Sequence, residues 1–167
     1  MPSLYDFTIP VFIRQLGNLS KILDKARAHA DAAGVAHAEL IDARLAPDML
    51  PLSSQVQIAS DSARGVAVRV GRIAPKPMAD TEKTFEELQA RIAASIDYLK
   101  SVPANVFDGK EGDPVTLKFG SSEVPFPSGV AYVLGYAMPN FYFHVTTAYD
   151  ILRNKGVKLG KRDFLGG

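Results

Sequence analysis

The feature that most restricts this chain is a recurring 4-3 spacing of apolar residues. Leu52, Val56, Ala59, Ala63, Val66, Val70 and Ile73 follow it without a break. A helix turns about once every 3.6 residues, so these positions form one narrow stripe on one face. Phe12, Leu16, Leu19, Leu23, Ala26 and Ala30 repeat the pattern upstream. Phe85, Leu88, Ile92, Ile96 and Leu99 repeat it downstream, and Val130, Leu134, Ala137, Phe141, Ala148 and Ile151 or Leu152 follow near the C-terminus. A stripe of that width needs a facing helix to cover it. Four such helices joined by short links predict an all-α fold, an antiparallel four-helix bundle.

Local signals place the boundaries. Gly34 stops the first helix, and Pro10 near its front separates or bends the first turns. His37 to Arg44 reads as a short amphipathic helix, and Leu45 to Pro51 as an ordered link whose proline suits the next first turn. Pro75 and Pro77 end the second helix. The third starts after Asp80, with a capping box at Thr84–Glu87 or an earlier cap at Thr81. Pro103 stops it. The period then changes to two: Val115, Leu117 and Phe119 alternate with polar residues, Gly120-Ser121-Ser122 turns, and Val124 and Phe126 resume. This is a small β-hairpin inserted before the last helix. That helix runs from about Ser128 to Asn154 and stops at Gly156, leaving a tail from Val157 to Gly167. At roughly 150 residues per domain, residues 1–167 read as one domain.

Composition removes several function classes. The chain has no cysteine, so disulfides, thiolate zinc sites, iron–sulfur clusters and a cysteine nucleophile are excluded. Nineteen basic residues against eighteen acidic ones argue against a nucleic-acid binder, which depends on phosphate neutralisation. The N-terminus lacks a basic region ahead of an apolar core, so no signal peptide is read. Glu123 to Asp150 encloses no formal charge and is long enough to span a bilayer. Its prolines, Asn140, His144, Thr146 and Thr147 make it too polar and interrupted for that, and a buried central helix is read instead. The expected compartment is the cytoplasm.

The last helix carries the candidate chemistry. Asn140 and His144 stand one turn apart at the edge of its apolar stripe, and Thr147 continues the row. Tyr132, Tyr136, Tyr142, Phe143 and Tyr149 occupy its other faces. On the second helix, Gln57 and Asp61 are also one turn apart, beside the heptad seam. If these helices face each other, Gln57, Asp61, Asn140 and His144 converge in the core. His144 then serves as metal ligand, acid or base, or is a buried histidine satisfied by Gln57, Asp61 or tyrosine hydroxyls. Pro139 cannot donate to the Gly135 carbonyl and should kink the helix beside Asn140. His29 and His37 read as surface or edge residues, lacking a partner histidine at i+4. Arg64, Arg69, Arg72 and Lys76 read as an exposed basic face. Arg153, Lys155, Lys158, Lys161 and Arg162 read as part of a solvated tail. The chain holds neither a glycine-rich phosphate loop nor a Gly-x-Ser-x-Gly elbow.

Four motifs resemble a known family: Leu45-Ala-Pro-Asp-Met49, Gln55-Val-Gln57, Pro139-Asn-Phe-Tyr-Phe-His144-Val-Thr-Thr-Ala-Tyr149, and Leu159-Gly-Lys-Arg-Asp-Phe-Leu165. They look like the signatures of an uncharacterised bacterial domain-of-unknown-function family within the DinB/YfiT-like metalloenzyme superfamily, and the resemblance spans essentially the whole chain. It implies a DinB-like four-helix bundle, often dimeric, some relatives being metal-dependent transferases or isomerases that use low-molecular-weight thiols. It further implies three metal-binding histidines, one on the second helix and a His-x-x-x-His pair on the last. Here His144 matches the first of the pair, Ala148 stands at the second, and the second-helix position falls at or near Gln57. Glutamine is a poor replacement for imidazole with zinc or nickel, and alanine is no ligand. The leading reading is therefore a binding protein that holds a small ligand or a partner at an inter-helix pocket around His144, without a three-histidine site or cofactor. The alternatives are a metal- and thiol-dependent transferase or isomerase, with zinc or nickel on His144, and a structural homodimer without ligand.

Overall fold

The computed structural model describes residues 3–167; Met1 and Pro2, where the reading of the N-terminus begins, lie outside them. The capping box expected of a helix start appears at Ser3: its hydroxyl accepts from Asp6 N–H, and the Asp6 carboxylate accepts from Ser3 N–H. Helix α1 then runs Leu4–Ala33, continuing through Pro10, and ends on Gly34, whose φ of 65° is the left-handed cap glycine adopts without penalty. A short α2 (His37–Ile41) follows, then α3 (Leu52–Arg69), entered through Pro51. Thr84, not Thr81, caps α4 (Phe85–Lys100), with Glu87 closing the box.

Helix α3 ends earlier than its apolar stripe. Val70 is its C-cap, and Gly71 and Arg72 (φ 55°) turn the chain into an irregular strap that runs to Thr84. Pro75 and Pro77 therefore stiffen the strap rather than terminate the helix. After a 3₁₀ turn (Ala104–Phe107), strands β1 (Val115–Phe119) and β2 (Ser122–Phe126) pair antiparallel, Val115 opposite Phe126 and Phe119 opposite Ser122. The last helical stretch comprises α5 (Gly129–Tyr132), a π-helical turn (Val133–Ala137) and α6 (Met138–Asn154).

The protein is thus mostly helical with one small hairpin. Helix α3 packs against both α6 and α4, and α1 against α4. The stripes meet in one core that includes Leu16, Leu19, Val56, Ala63, Ile92 and Ile151. Phe12 and Phe141 meet across it, tilted by 56° with centroids 4.6 Å apart. No described helix is long and apolar enough to cross a membrane.

The C-terminal segment is not a solvated tail. Val157 and Leu159 are buried, and α7 (Lys161–Leu165) docks on α1. Gln15 and Asn18 both donate to the Phe164 carbonyl, at 3.0 and 3.1 Å, and Lys25 pairs with Asp163 at 2.5 Å. The basic residues of this segment disguise three apolar anchors, Val157, Leu159 and Phe164.

Candidate functional site

The face of α3 towards α6 repeats at helical spacing: Gln55, Ala59, Ser62, Val66 and Arg69. Two polar pairs cross this seam. Asn140 Nδ2 donates to Ser62 Oγ at 2.7 Å, and His144 Nδ1 lies 2.7 Å from Gln55 Oε1. Gln55 Nε2 donates to the Leu50 carbonyl at 2.9 Å, which turns its oxygen towards the imidazole. His144 must then donate through Nδ1–H, leaving the lone pair on Nε2. Burial holds its pKa below the ordinary imidazole value, so the ring is neutral at pH 7. Thr147 donates back to the Phe143 carbonyl of its own helix.

Gln57 and Asp61 do not join this row. Two residues on a helix are about 200° apart, so a face that presents Gln55 to α6 presents Gln57 to the strap. Gln57 donates to Glu82 at 2.8 Å. Asp61 accepts from Arg64 and, at 2.8 Å, from Arg91. Arg91 on α4 also reaches Asp80 and Glu82, both at 2.9 Å, and donates to the Ala79 carbonyl at 3.1 Å. Its side chain is 1% exposed. Burial pushes the Glu82 carboxyl up, but the hydrogen bonds from Arg91 and Gln57 outweigh it and hold the pKa below the usual range. The sequence reading passed over Arg91; the signal was a cation inside the buried stripe, between Leu88 and Ser95, opposite a run of acids. Arg64 is likewise buried rather than part of an exposed face. It sits on the strap side of α3 and donates to the Lys76 carbonyl.

The π-helical turn precedes Pro139. Met138 N–H bonds to the Val133 carbonyl, one residue further back than in an α-helix. Widening the helix there accommodates the N–H that Pro139 lacks, without breaking the helix. It leaves Tyr132 and Tyr136 stacked, centroids 6.2 Å apart at 23°, with Phe119 edge-on to Tyr136 at 5.9 Å. Together with Ile58, Asp61, Ser62, Arg69, Leu117, Lys118 and Asn140, these rings line a cleft of about 180 Å³. Arg69 also lines two adjoining clefts of about 320 and 420 Å³, bordered by the strap. His144 lies one turn beyond Asn140, outside the lining. His29 is half-buried at the end of α1, and His37 pairs with Asp31 at 2.7 Å.

The donor set does not fit a metal centre of the three-histidine kind. No three His, Cys, Asp or Glu side chains among the described residues are grouped to hold an ion. Gln55 holds one nitrogen of His144, Ala148 brings no donor atom, and the nearby carboxylates are engaged by Arg64 and Arg91.

Residues 4–165 match the domain of unknown function DUF1993. The chain is also similar to the crystal structure of a DinB family member protein from Shewanella denitrificans. The identity is 38%, the TM-score 0.87, and the match covers 98% of this chain and 92% of that one. No curated protein matches.

Proposed function

Because this chain belongs to the DUF1993 domain family and is similar to a DinB family member of solved structure, we propose that it is a DinB-like binding protein. In this reading residues 1–167 form one cytoplasmic, antiparallel four-helix bundle. It holds a small organic ligand in the cleft between α3 and the last helical stretch, at Asn140. His144 supports that wall through Gln55, and Asp61 and Gln57 brace the strap side. The observation that carries this reading is Asn140 itself. Its amide nitrogen is tied to Ser62, while its carbonyl oxygen has no partner among the described residues and stands in the wall of an aromatic-lined cleft. Binding clefts pair an apolar lining with a few fixed polar groups in this way. Native mass spectrometry of the purified protein tests it. A co-purified small molecule lost in Asn140→Ala, with the fold intact by circular dichroism, is expected. A ligand whose NMR contacts lie away from Ser62, Tyr136 and Asn140 would overturn it.

A second reading, a homodimer, draws on a different feature. Phe7, Val130 and Leu134 are exposed around a shallow apolar hollow of about 230 Å³, and such patches commonly mark interfaces. Light scattering of the wild type and of Leu134→Asp separates a dimer through this face from a monomer.

A further inference from the structure

Arg69 is a half-buried cation of the cleft with no ion-pair partner among the described residues. Its charged neighbours are engaged with one another: Asp61 with Arg64 and Arg91, Asp113 with Arg72 and Lys110, and Lys118 with Glu123. Among the described residues no carboxylate lies within 4.0 Å of the Arg69 guanidinium. Nη1 donates to Tyr132 Oη at 3.2 Å, and the guanidinium carbon stands 5.9 Å from the centre of that ring. Gly65 makes this pose available. A Cβ at position 65 would collide with Arg69 Nη1 and lie 3.6 Å from Tyr132 Oη. A glycine one turn before the arginine therefore lets the guanidinium fold back across α3 into the cleft.

The polar hydrogens around it point to the same chemistry. Tyr132 Oη accepts from Arg69 and Ser62 Oγ accepts from Asn140, so both hydroxyl protons remain to be donated. Neither has an acceptor among the described residues, nor does the hydroxyl of Tyr136. Several donors and one cation without a carboxylate partner thus line one cleft, beside two acceptors, the Asn140 carbonyl oxygen and the Asp61 carboxylate that Arg64 and Arg91 already hold. The group that satisfies these donors and the cation is an anion with several lone pairs, as a carboxylate is. The opposite wall is aromatic, and a space of roughly 150 Å³ accepts a benzene ring, against about 180 Å³ here.

We propose that this cleft binds a small planar carboxylate of one ring. Its carboxylate is held by Arg69, Tyr132 and Ser62, and its ring lies against Tyr136 and Phe119. The proposal rests on the binding reading above and narrows it to a ligand class.

Titration calorimetry of the full chain with benzoate, benzamide and inorganic phosphate tests it, with NMR to place each probe. Benzoate is expected to bind at the cleft, and neutral benzamide about tenfold more weakly or worse, since a charge-assisted hydrogen bond is lost. Arg69→Gln should weaken benzoate by about tenfold or more, with the fold checked by circular dichroism. Gly65→Ala should weaken it while keeping the arginine, because the new methyl displaces the guanidinium. Tyr132→Phe serves if either variant fails to fold. Equal binding of benzoate and benzamide, tighter binding of phosphate, benzoate binding unchanged in Arg69→Gln, or no cleft binding of benzoate would each overturn the carboxylate class. Benzamide moving the Asn140 and Tyr136 resonances as much as benzoate would do so while supporting the cleft; the absence of a co-purified ligand bears on the binding reading instead.

Discussion

Arg91→Met isolates the polar network between α3, α4 and the strap. Methionine keeps most of the apolar stem and removes the guanidinium. Breaking a buried ion pair from one side costs about 3–5 kcal/mol, because the remaining partner stays dehydrated and unpaired. The partners here are unequal. Asp61 and Asp80 have side chains 47% and 59% exposed and regain water, whereas Glu82 is 11% exposed and does not. One stranded carboxylate places the loss at the low end, about 3 kcal/mol at pH 7. For a chain of this size that lowers Tm by about 6–12 °C. The pH dependence provides a second arm. In the native chain the Glu82 pKa is held down, so its contribution is present above the unfolded carboxylate pKa and lost as pH falls through the folded one. Without Arg91 the burial that pushes this group up loses its main opponent. Protonation then relieves the variant, and its deficit shrinks between pH 7 and pH 4.5. Urea unfolding followed by circular dichroism at both pH values measures this. A deficit below about 1 kcal/mol at pH 7, or one unchanged at pH 4.5, would refute the reasoning.

Two further outcomes follow from the same geometry. Burial depresses the His144 pKa, so the unfolded chain takes up this proton first; its contribution is present above about pH 6.5 and declines below. In His144→Gln the stability difference between pH 7.5 and pH 5 should lose a slope of up to about 1.4 kcal/mol per pH unit; parallel profiles for the two proteins would contradict a neutral buried imidazole. Ending the chain after Gly156 removes buried Val157 and Leu159 and the acceptor of Gln15 and Asn18. This should cost roughly 3–5 kcal/mol, and an unchanged urea midpoint would show that α7 and its linker contribute nothing to the core.

The candidate site was legible in type and only partly in arrangement. The row Asn140 and His144 stood out because an apolar helix face rarely carries amide and imidazole side by side. Their partners did not stand out. Gln55 and Gln57 have identical chemistry and adjacent positions, and the choice between them depends on how far α3 is rotated against α6. The heptad stripe marks the middle of the buried face and leaves both flanks open. Arg91 and Arg64 illustrate the same limit. A charged residue reads as exposed until the acids that surround it, drawn here from α3 and the strap, are folded against it.

What the sequence alone determined is the local order: four amphipathic helices, the stop at Gly34, and a period-two hairpin between Val115 and Phe126. These depend on spacing and on neighbours a few residues away, which the linear chain contains. Only the tertiary structure decided that α3 stops at Arg69, that α7 docks on α1 with Val157 and Leu159 buried ahead of it, and that Gln57 and Asp61 face away from His144. It also decided that Gly65 opens a path for Arg69 into the cleft. Each of these depends on contacts between residues far apart in the chain, or on the rotation of one helix against another, and a spacing pattern carries neither.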